Sequence, residues 1–293
     1  MARLRFRWLL AVSFLLILAA RPPLAAKTAR PSLAVQAASP STAAQKAAVV
    51  PAAAAPAASA KTWLEDRATV EEFLRTAKIV KVDEVGMGVT KPKHAYFAPA
   101  GVVASASWKP IRPGRYNGYW ESYKSEIAAY ELDKLLGMDM VPPTVERRVD
   151  GELGAASVWV APVRMFKIGE SSHDIPNRAN WDRQVRKMKV FDNLIHNPDR
   201  NAGNLLIDPA GNLILIDHSR AFESFRELVV KIDRVDRDLW TRIDALTPAE
   251  ITTAVEKWLT QAEIRSVVER RDRMRAEIAK LVAAKGEAAV LIP

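Results

Sequence analysis

The spacing of apolar residues predicts two long helices. Over residues 120–136, apolar side chains lie near one side of a helix, and Gly137 is suited to cap the C-terminal end. Residues 181–195 have apolar side chains at helical spacing, and Asn197 followed by Pro198 ends this second helix. The apolar positions are Tyr123, Ile127, Tyr130 and Leu135 in the first helix, and Trp181, Val185, Met188, Phe191 and Ile195 in the second. We therefore expect each helix to bury one apolar side.

Short apolar runs predict strands on either side of the first helix. Residues 94–98 and 102–108 form two such runs, and the second leads directly into Lys109. Residues 157–163 read SVWVAPV and predict a further strand that crosses between two halves of the fold.

A β-hairpin is predicted after the second helix. Residues 204–207 and 212–216 are apolar runs separated by Asp208-Pro209-Ala210-Gly211. Proline at the second position and glycine at the fourth suit a type I turn. If Ile207 pairs with Asn212 across this turn, Asn204 lies opposite Leu215.

Two capping boxes predict helices in the carboxy-terminal region. Thr247-Pro248-Ala249-Glu250 and Thr260-Gln261-Ala262-Glu263 both match the pattern, and the first has proline at the first helical position. We expect these helices to pack beneath the hairpin segment and to leave residues 283–293 as a loose tail.

The amino-terminal segment differs in composition from the rest of the chain. Arg3, Arg5 and Arg7 precede an apolar stretch of thirteen residues, 8–20, and small residues follow, which predicts a signal peptide over residues 1–26. A membrane anchor is the alternative, but the stretch is shorter than the roughly 20 residues that span a bilayer. Residues 27–60 are rich in Ala, Pro, Ser and Thr and predict a flexible linker.

Composition and charge exclude several classes of function. With 293 residues and 49% hydrophobic content, the chain can bury one large core or two modest lobes. The absence of cysteine excludes thiol nucleophiles and thiolate metal sites. The net charge is +9, and basic residues over 265–275 alternate with acids as on a solvated helix face. We therefore expect no specific nucleic-acid binding, and membrane contact only if the amino-terminal segment is retained.

The region around the hairpin contains candidate catalytic residues. Asp199 and Asn204 have the D-x-x-x-x-N spacing in which aspartate positions an acceptor hydroxyl and asparagine holds a magnesium ion. Asp217 is the candidate second metal ligand, because the predicted register places it diagonal to Asn204 at about 7–8 Å. These residue types are also ordinary turn formers, so a purely structural role is the alternative.

The amino-terminal half offers the other groups that phosphoryl transfer requires. Gly86 and Gly88 form a short glycine loop, Lys109 is a strand lysine for the nucleotide phosphates, and Glu126 is its predicted partner among the glutamates of the first helix. Each residue type is common at the surface, but their order along the chain matches the order in kinase-like folds.

These segments together suggest a family. The runs YKSEIAAYELDKLLGMDMVPPTV, FDNLIHNPDRNAGNLLID and LILIDHSRAF resemble bacterial kinase-like proteins related to phosphatidylinositol 3- and 4-kinases, HipA-type kinases and secretory-pathway Golgi casein kinases. The likeness covers residues 82–222, and its most specific part is N-P-D-R-x-x-x-N followed by I-D-H. The resemblance implies an α+β, two-lobed protein-kinase-like fold, with a β-rich N-lobe over 61–163 and a mainly helical C-lobe over 164–293.

The resemblance also implies a set of roles. Asp199 would be the catalytic aspartate, Lys109 and Glu126 the phosphate lysine and its partner, and Asn204 and Asp217 the ligands of Mg²⁺ or Mn²⁺. ATP would be the nucleotide, with the glycine loop on its phosphates. Arg200 would be a structural anchor of the loop. Independently of the resemblance, the predicted strand over 157–163 makes Trp159 and Val160 candidate nucleotide-pocket residues, because a strand between two lobes commonly offers backbone groups to adenine; an ordinary core strand is the alternative. Ordinary kinases have Phe and Gly where this chain has His218 and Ser219.

The leading hypothesis is therefore an exported ATP-dependent phosphotransferase that acts on an unidentified hydroxyl of a protein, lipid or small molecule. One alternative is a pseudokinase or nucleotide-binding module without phosphoryl transfer. Another is a metal-dependent hydrolase, because histidine and carboxylate side chains are suitable metal ligands. The residues of that cluster would be His196, Asp199, Asp217 and His218.

Overall fold

The computed structural model describes residues 58–86, 91–171 and 174–293. The predicted signal peptide, most of the predicted linker and Gly88 lie outside these residues. In chain order, the first half contains α1 (Arg67–Thr76), β1 (Ile79–Glu84), β2 (Lys93–Phe97), β3 (Ser105–Lys109), β4 (Gly114–Tyr116), β5 (Tyr119–Glu121), α2 (Tyr123–Leu136), β6 (Thr144–Val149) and β7 (Glu152–Val158). The second half contains β8 (Arg164–Met165), α3 (Arg178–Ile195), β9 (Leu205–Ile207), β10 (Leu213–Leu215), β11 (Val235–Asp236), α4 (Arg237–Ala245), α5 (Pro248–Val255), α6 (Gln261–Lys285), α7 (Glu287–Val290) and β12 (Leu291–Ile292).

A five-stranded antiparallel sheet dominates the first half, in the order β1-β2-β3-β7-β6. Trp108 of β3 pairs with Ala156 of β7, and both belong to an apolar cluster that α1 completes with Val70 and Leu74. Successive side chains of a strand point to opposite faces. Lys109, the next residue of β3, is therefore on the face away from α1.

The first predicted helix is present as α2, but it begins at Tyr123 instead of residue 120. Residues 119–121 form β5, which pairs with β4 in a short hairpin inserted between β3 and α2. Ser122 is the N-cap, and its side chain accepts a hydrogen bond from the backbone N–H of Lys124. Gly137 caps the C-terminal end with a left-handed φ of 55°, as predicted.

The second half is mainly helical and has a separate core. The predicted helix over 181–195 is confirmed as α3, and both capping boxes are formed, at the starts of α5 and α6. The α4 helix was not predicted. Fully buried side chains from these helices form the centre of the core, and they include Phe191, Leu194, Ile195, Leu239, Ile243, Ile251, Val255, Val267 and Met274. Among the described residues, no helix is both long and apolar enough to cross a membrane.

Thr260→Ala is expected to destabilise the protein by about 1 kcal/mol, because α6 loses the hydroxyl that accepts from the N–H of Glu263. Urea unfolding measures the change. Thr241→Ala is the matched control, because Thr241 is also exposed but donates only to a carbonyl within α4. Its effect should be near zero, since alanine is the better helix former. Equal losses in the two variants would contradict the capping role.

The predicted hairpin is present, but its register differs by one residue. Ile207 pairs with Leu213, and Leu205 pairs with Leu215. The turn begins as predicted, with the Gly211 N–H donating to the Asp208 carbonyl at 3.0 Å. Gly211 then adopts a φ of 81°, which adds a left-handed residue to the loop and shifts the pairing. Asn204 is consequently beside Ile216, whose N–H donates to the Asn204 carbonyl at 3.2 Å, and not opposite Leu215.

The strand predicted over 157–163 is wrong beyond its first two residues, because β7 ends at Val158. Pro162 has no N–H to donate and therefore cannot continue a central ladder. Residues 159–163 instead connect the five-stranded sheet to a second sheet, in which β8 pairs with β9 of the hairpin.

The carboxy-terminal end is packed, so the predicted loose tail is wrong. β12 pairs in parallel with β11, and Val290 is fully buried. Arg237 forms an ion pair with Glu287 and donates to the carbonyl of Leu291 at 3.1 Å. These contacts lie about 50 residues apart in sequence, so no local pattern indicates them.

The end of the predicted linker is also packed. Ser59 Oγ and the Ala60 N–H both donate to Asp208 Oδ2, at 3.1 and 2.9 Å, and Ala60 is buried. The chain therefore contacts the hairpin turn just before residue 61.

Candidate active site

Three of the predicted site residues meet around the ammonium group of Lys109. Its Nζ lies 2.7 Å from Glu126 Oε1 and 2.8 Å from Asp217 Oδ1. Lys109 ends β3, Glu126 is in the first turn of α2, and Asp217 follows β10. The side chains of Lys109 and Glu126 are only 12% and 6% exposed, whereas that of Asp217 is 26% exposed. The cluster is therefore buried at the glutamate and open at the aspartate.

The charges in this cluster stabilise one another. Burial alone would lower the pKa of Lys109, but the carboxylates of Asp217 and Glu126 outweigh it and raise that pKa above its ordinary value. Burial alone would raise the pKa of Glu126, but attraction to Lys109 and contact with His218 lower it. Both groups are therefore ionised at neutral pH.

The second carboxylate oxygen of Glu126 links α2 to the segment after β10. Glu126 Oε2 accepts from the backbone N–H of His218 at 3.0 Å. The Ser122 N–H donates to the Ser219 carbonyl at 2.9 Å, and Ser125 Oγ donates to the Ala221 carbonyl at 3.1 Å. The position of α2 is thus coupled to residues 218–221.

His218 fills a buried position where ordinary kinases have phenylalanine. Its side chain is 1% exposed, and its ring meets Phe191 edge-on with centroids 6.3 Å apart. Burial lowers the pKa of His218, which favours the neutral imidazole. His218 therefore keeps an aromatic ring packed at this position, although the residue type differs from the usual phenylalanine.

Arg200 anchors the loop that carries the candidate catalytic aspartate. Its guanidinium binds Asp192 of α3, with Nη2 and Oδ1 3.0 Å apart, and Asp192 is fully buried. Arg200 Nη1 also donates to the carbonyls of Asn204 and Ile216, at 3.2 and 2.8 Å. One side chain thus connects α3 to the residue before β9 and the residue after β10, as its predicted anchoring role requires.

Asp199 and Asn204 are in contact through the loop backbone. Asn204 Nδ2 donates to the Asp199 carbonyl at 3.0 Å, and the Asp199 N–H donates to Asn197 Oδ1 at 3.3 Å. Asn204 is buried, whereas the side chain of Asp199 is 39% exposed. The side chain of Asp199 is therefore accessible from outside, whereas that of Asn204 is held in place.

The donor set of Asn204 and Asp217 suits Mg²⁺ or Mn²⁺. Both side chains offer oxygen atoms, which these cations prefer. Within the described parts of the chain, no group of three or more His, Cys, Asp or Glu residues could hold a metal ion. Two protein ligands are nevertheless enough for magnesium, which usually keeps several waters and binds substrate phosphates.

The histidine-rich metal cluster of the hydrolase hypothesis is not formed. His196 is the C-cap of α3, and its Nδ1 lies 3.0 Å from the Glu227 carbonyl. Its ring packs against Phe225 with centroids 5.4 Å apart. His196 is therefore satisfied as a helix-end residue, and the hydrolase hypothesis loses its ligand set.

The three described residues that are predicted to contact the nucleotide, Gly86, Trp159 and Val160, lie in different structural environments. Gly86 follows β1 with a left-handed φ of 68°. Trp159 is 37% exposed, and its ring stacks on that of His94 with centroids 3.8 Å apart. His94 pairs with Ser107, two residues before Lys109, so this aromatic stack is on the Lys109 face of the sheet. The side chain of Val160 is buried in the sheet core, so a ligand contact there would involve its main chain.

Sequence reasoning missed Arg220. Its Nη1 lies 3.1 Å from Asp199 Oδ2, and its Nε and Nη2 lie 2.9 and 2.8 Å from Glu121 Oε1. Its Cζ lies 4.4 Å from the centroid of the Tyr119 ring. These partners are about 20 and 100 residues away along the chain. No local pattern signals them.

Sequence comparison finds one partial relative. No family model matches the chain. Phosphatidylinositol 4-kinase gamma 4 of Oryza sativa subsp. japonica is 31% identical over 134 residues, which cover 41% of this chain and 23% of that kinase. The chain thus matches less than a quarter of the length of this relative.

Two solved structures share the fold. The Golgi casein kinase with Mn/ADP bound superposes with a TM-score of 0.58 at 16% identity, over 76% of this chain and 78% of that chain. Hydra Fam20 with sugar superposes with a TM-score of 0.59 at 17% identity, over 76% of this chain and 91% of that chain. These likenesses confirm the predicted fold class: this chain has a kinase-like α and β fold, with a β-sheet region followed by a mainly helical one.

Proposed function

We propose that this protein is an ATP-dependent phosphotransferase that transfers the γ-phosphoryl group to a hydroxyl acceptor. The observation that carries the proposal is the ammonium group of Lys109, which contacts Glu126 at 2.7 Å and Asp217 at 2.8 Å. A strand, a helix and the segment after the hairpin supply these three residues, which are the lysine, glutamate and metal aspartate of kinase chemistry. Asp199 and Asn204 supply the remaining two groups.

Each residue has a distinct task in this proposal. Lys109 binds the nucleotide phosphates while Glu126 holds it in place, and Asn204 and Asp217 hold Mg²⁺ or Mn²⁺. The bound cation would neutralise phosphate charge. Asp199 orients the acceptor hydroxyl and receives its proton. The acceptor oxygen forms a bond to the γ-phosphorus, the bond from that phosphorus to the bridging oxygen breaks, and ADP leaves.

The nucleotide would lie on the Lys109 face of the five-stranded sheet. We assign its phosphates to the glycine loop with Gly86 and Gly88, and its base to the region of Trp159 and the main chain of Val160. The bound Mn/ADP named for the Golgi casein kinase structure supports the choice of cofactors.

The acceptor class stays open within this proposal. The names of the three similar proteins mention phosphatidylinositol, casein and a bound sugar. Each of these molecules carries hydroxyl groups, and a hydroxyl is the part of an acceptor that Asp199 would contact.

We also propose that the protein is exported. The support is the predicted signal peptide over residues 1–26, with its three early arginines and apolar stretch. The Golgi casein kinase is a structural neighbour whose name places it in the secretory pathway. An exported protein would lie outside the cytoplasm, so its ATP would have to be supplied by a route other than the cytoplasmic pool.

ATP with Mn²⁺ is expected to raise the unfolding temperature of the protein. At a nucleotide concentration 100 times Kd, binding should stabilise the folded state by about 2.7 kcal/mol, equivalent to roughly 5–10 °C for a chain of this size. Differential scanning fluorimetry with ATP, with Mn²⁺ and with both measures the shift. Asp217→Asn should lose the part of the shift that requires the metal. Asp233→Asn, an exposed aspartate outside the site, should keep it.

Transfer of radiolabelled γ-phosphate to the protein itself or to casein, phosphatidylinositol and sugar acceptors then separates the proposed enzyme from a pseudokinase. A thermal shift without any transfer would support the pseudokinase. No shift with ATP and either cation would contradict both nucleotide-dependent functions.

A further inference from the structure

Arg220 connects the candidate catalytic aspartate to the β4–β5 hairpin. It follows Asp217 by three residues, and its guanidinium contacts two carboxylates at once. Nη1 lies 3.1 Å from Asp199 Oδ2, whereas Nε and Nη2 both lie within 2.9 Å of Glu121 Oε1. The flat guanidinium group suits such simultaneous contacts, and arginine stays charged throughout the physiological pH range.

The two carboxylates differ in how firmly they are held. Glu121 ends β5, and its side chain is 6% exposed, whereas the side chain of Asp199 is 39% exposed. The guanidinium carbon lies 4.4 Å from the centre of the Tyr119 ring, within the range of a cation–π contact. Glu121 and Tyr119 of the β4–β5 hairpin therefore fix the guanidinium group of Arg220. Its remaining nitrogen, Nη1, contacts Asp199.

The backbone on both sides of this contact is also fixed. The Ser122 N–H, next to Glu121, donates to the carbonyl of Ser219, next to Arg220. Ser122 is also the N-cap of α2, the helix that carries Glu126. The hairpin, the start of α2 and the segment after Asp217 thus form one connected support for Arg220.

Only one carboxylate oxygen of Asp199 is used by Arg220. Among the described residues, Asp199 Oδ1 accepts no hydrogen bond from the protein, while Oδ2 accepts from Arg220. Because Arg220 holds Oδ2, the direction in which Oδ1 points is also defined. Phosphoryl transfer depends strongly on such positioning, because misplacement by about 1 Å can cost about 100-fold in rate.

We infer that Arg220 is a positioning residue of the transfer reaction: it holds Asp199 in the orientation that receives the acceptor hydroxyl, and Glu121 with Tyr119 holds Arg220. This inference rests on the proposed function. It assigns a role to the β4–β5 hairpin, which is to connect the lysine and glutamate of the phosphate side with the aspartate of the acceptor side.

Steady-state kinetics of Arg220→Gln, Arg220→Lys and Glu121→Gln test the inference. Arg220→Gln should lower kcat by about 10–100-fold, with the KM for ATP changed less than about threefold, because Lys109 and the proposed metal ligands are intact. Arg220→Lys should recover part of the loss, since it restores the charge without the planar fork. Glu121→Gln should show a smaller loss of kcat in the same direction.

The comparison of kcat with ATP binding gives a readout that a purely structural role would not move. Loss of folded protein would reduce the fraction of molecules that bind ATP, whereas loss of positioning should lower kcat per ATP-binding site, and Arg220→Lys should restore part of that kcat. Arg115→Gln is the matched control. Arg115 belongs to the same hairpin and also pairs with an acid, Glu223, but its side chain is 60% exposed. Its kcat per ATP-binding site should equal that of the wild type.

Several results would overturn the inference. If the wild type is active and Arg220→Gln has the same kcat, the positioning role is removed and the proposed function stays intact. A faster Arg220→Gln enzyme would mean that Arg220 restrains Asp199 instead. A wild type that binds ATP with Mn²⁺ but transfers nothing would overturn the proposed function and this role with it. If Arg220→Gln does not fold, Arg220→Lys and Glu121→Gln decide by the same criterion: a wild-type kcat in both would overturn the role.

Discussion

Asp199→Ala is expected to lower phosphoryl transfer by about 10²–10⁴-fold, the usual contribution of a positioned general base. The acceptor hydroxyl would lose both its orienting group and its proton acceptor. Nucleotide binding should survive, because the side chain of Asp199 contacts Arg220 and not Lys109, and its main-chain carbonyl still accepts from Asn204 in the variant. Arg220 would still be paired with Glu121, so the fold should be little affected.

Single-turnover transfer of labelled phosphate and the thermal shift with ATP and Mn²⁺, measured on the same preparation, separate chemistry from binding. The control is Asp182→Ala, because Asp182 lies 45% exposed on the surface of α3. This control should transfer at the wild-type rate. Full metal-dependent transfer by Asp199→Ala would show that another group receives the proton and that the assignment of the loop is wrong.

Lys109→Met should abolish most transfer and also weaken the fold. Loss of a preorganised cation that stabilises developing phosphate charge typically costs about 10²–10³-fold in rate. Glu126, 6% exposed, would keep its bond to the His218 N–H but lose its neutralising partner. We expect a destabilisation of about 1–3 kcal/mol, the range for a buried polar group left without its partner.

The destabilisation by Lys109→Met should depend on pH. In the wild type, the lowered pKa of Glu126 gives stability that is fully present above its ordinary value of 4.5 and is lost as the pH falls below it. The raised pKa of Lys109 gives stability that is present below its ordinary value of 10.5 and is lost only at higher pH. Both contributions are complete between pH 5 and 8. In the variant, burial without the ammonium favours protonated Glu126, so the deficit should shrink from pH 8 to pH 5.

Urea unfolding of both proteins at pH 8 and pH 5 measures this difference. Lys81→Met is the matched control, because Lys81 also lies in a strand and pairs with an acid, Asp83, but its side chain is 64% exposed. Its effect should stay below about 1 kcal/mol at both pH values. An equal deficit for Lys109→Met at the two pH values would show that Glu126 is not the source of the instability.

Local features were predictable because they depend on neighbouring residues. The helical period of α3 and the capping boxes of α5 and α6 involve positions three or four apart, and all three are formed. The type I turn after Ile207 was likewise indicated by its proline and glycine. The register of the hairpin was not, because the left-handed φ of Gly211 adds one residue to the loop.

The site was predictable in part. The spacing of Asp199 and Asn204 indicated the loop. The position of Glu126 next to the inward-facing Ile127 indicated its pairing with Lys109, which the structure contains at 2.7 Å, although Glu126 lies in the first turn of α2 and not in the middle of the helix. The catalytic and ligand roles of these residues stay predictions. The strand predicted beyond Val158 and the loose tail over 283–293 were wrong, since a proline interrupts the first and a parallel strand pair holds the second.

The sequence by itself determined α3, the capped starts of α5 and α6, the turn after Ile207 and the residue types of the loop, because periodicity and hydrogen bonding act over a few residues. Only the tertiary structure decided that Lys109 also contacts Asp217, 108 residues away, and that Arg220 joins Glu121 to Asp199. Those contacts depend on how the hairpin, α2 and the catalytic loop pack together. An arginine three residues after an aspartate has no local signature of its distant partners.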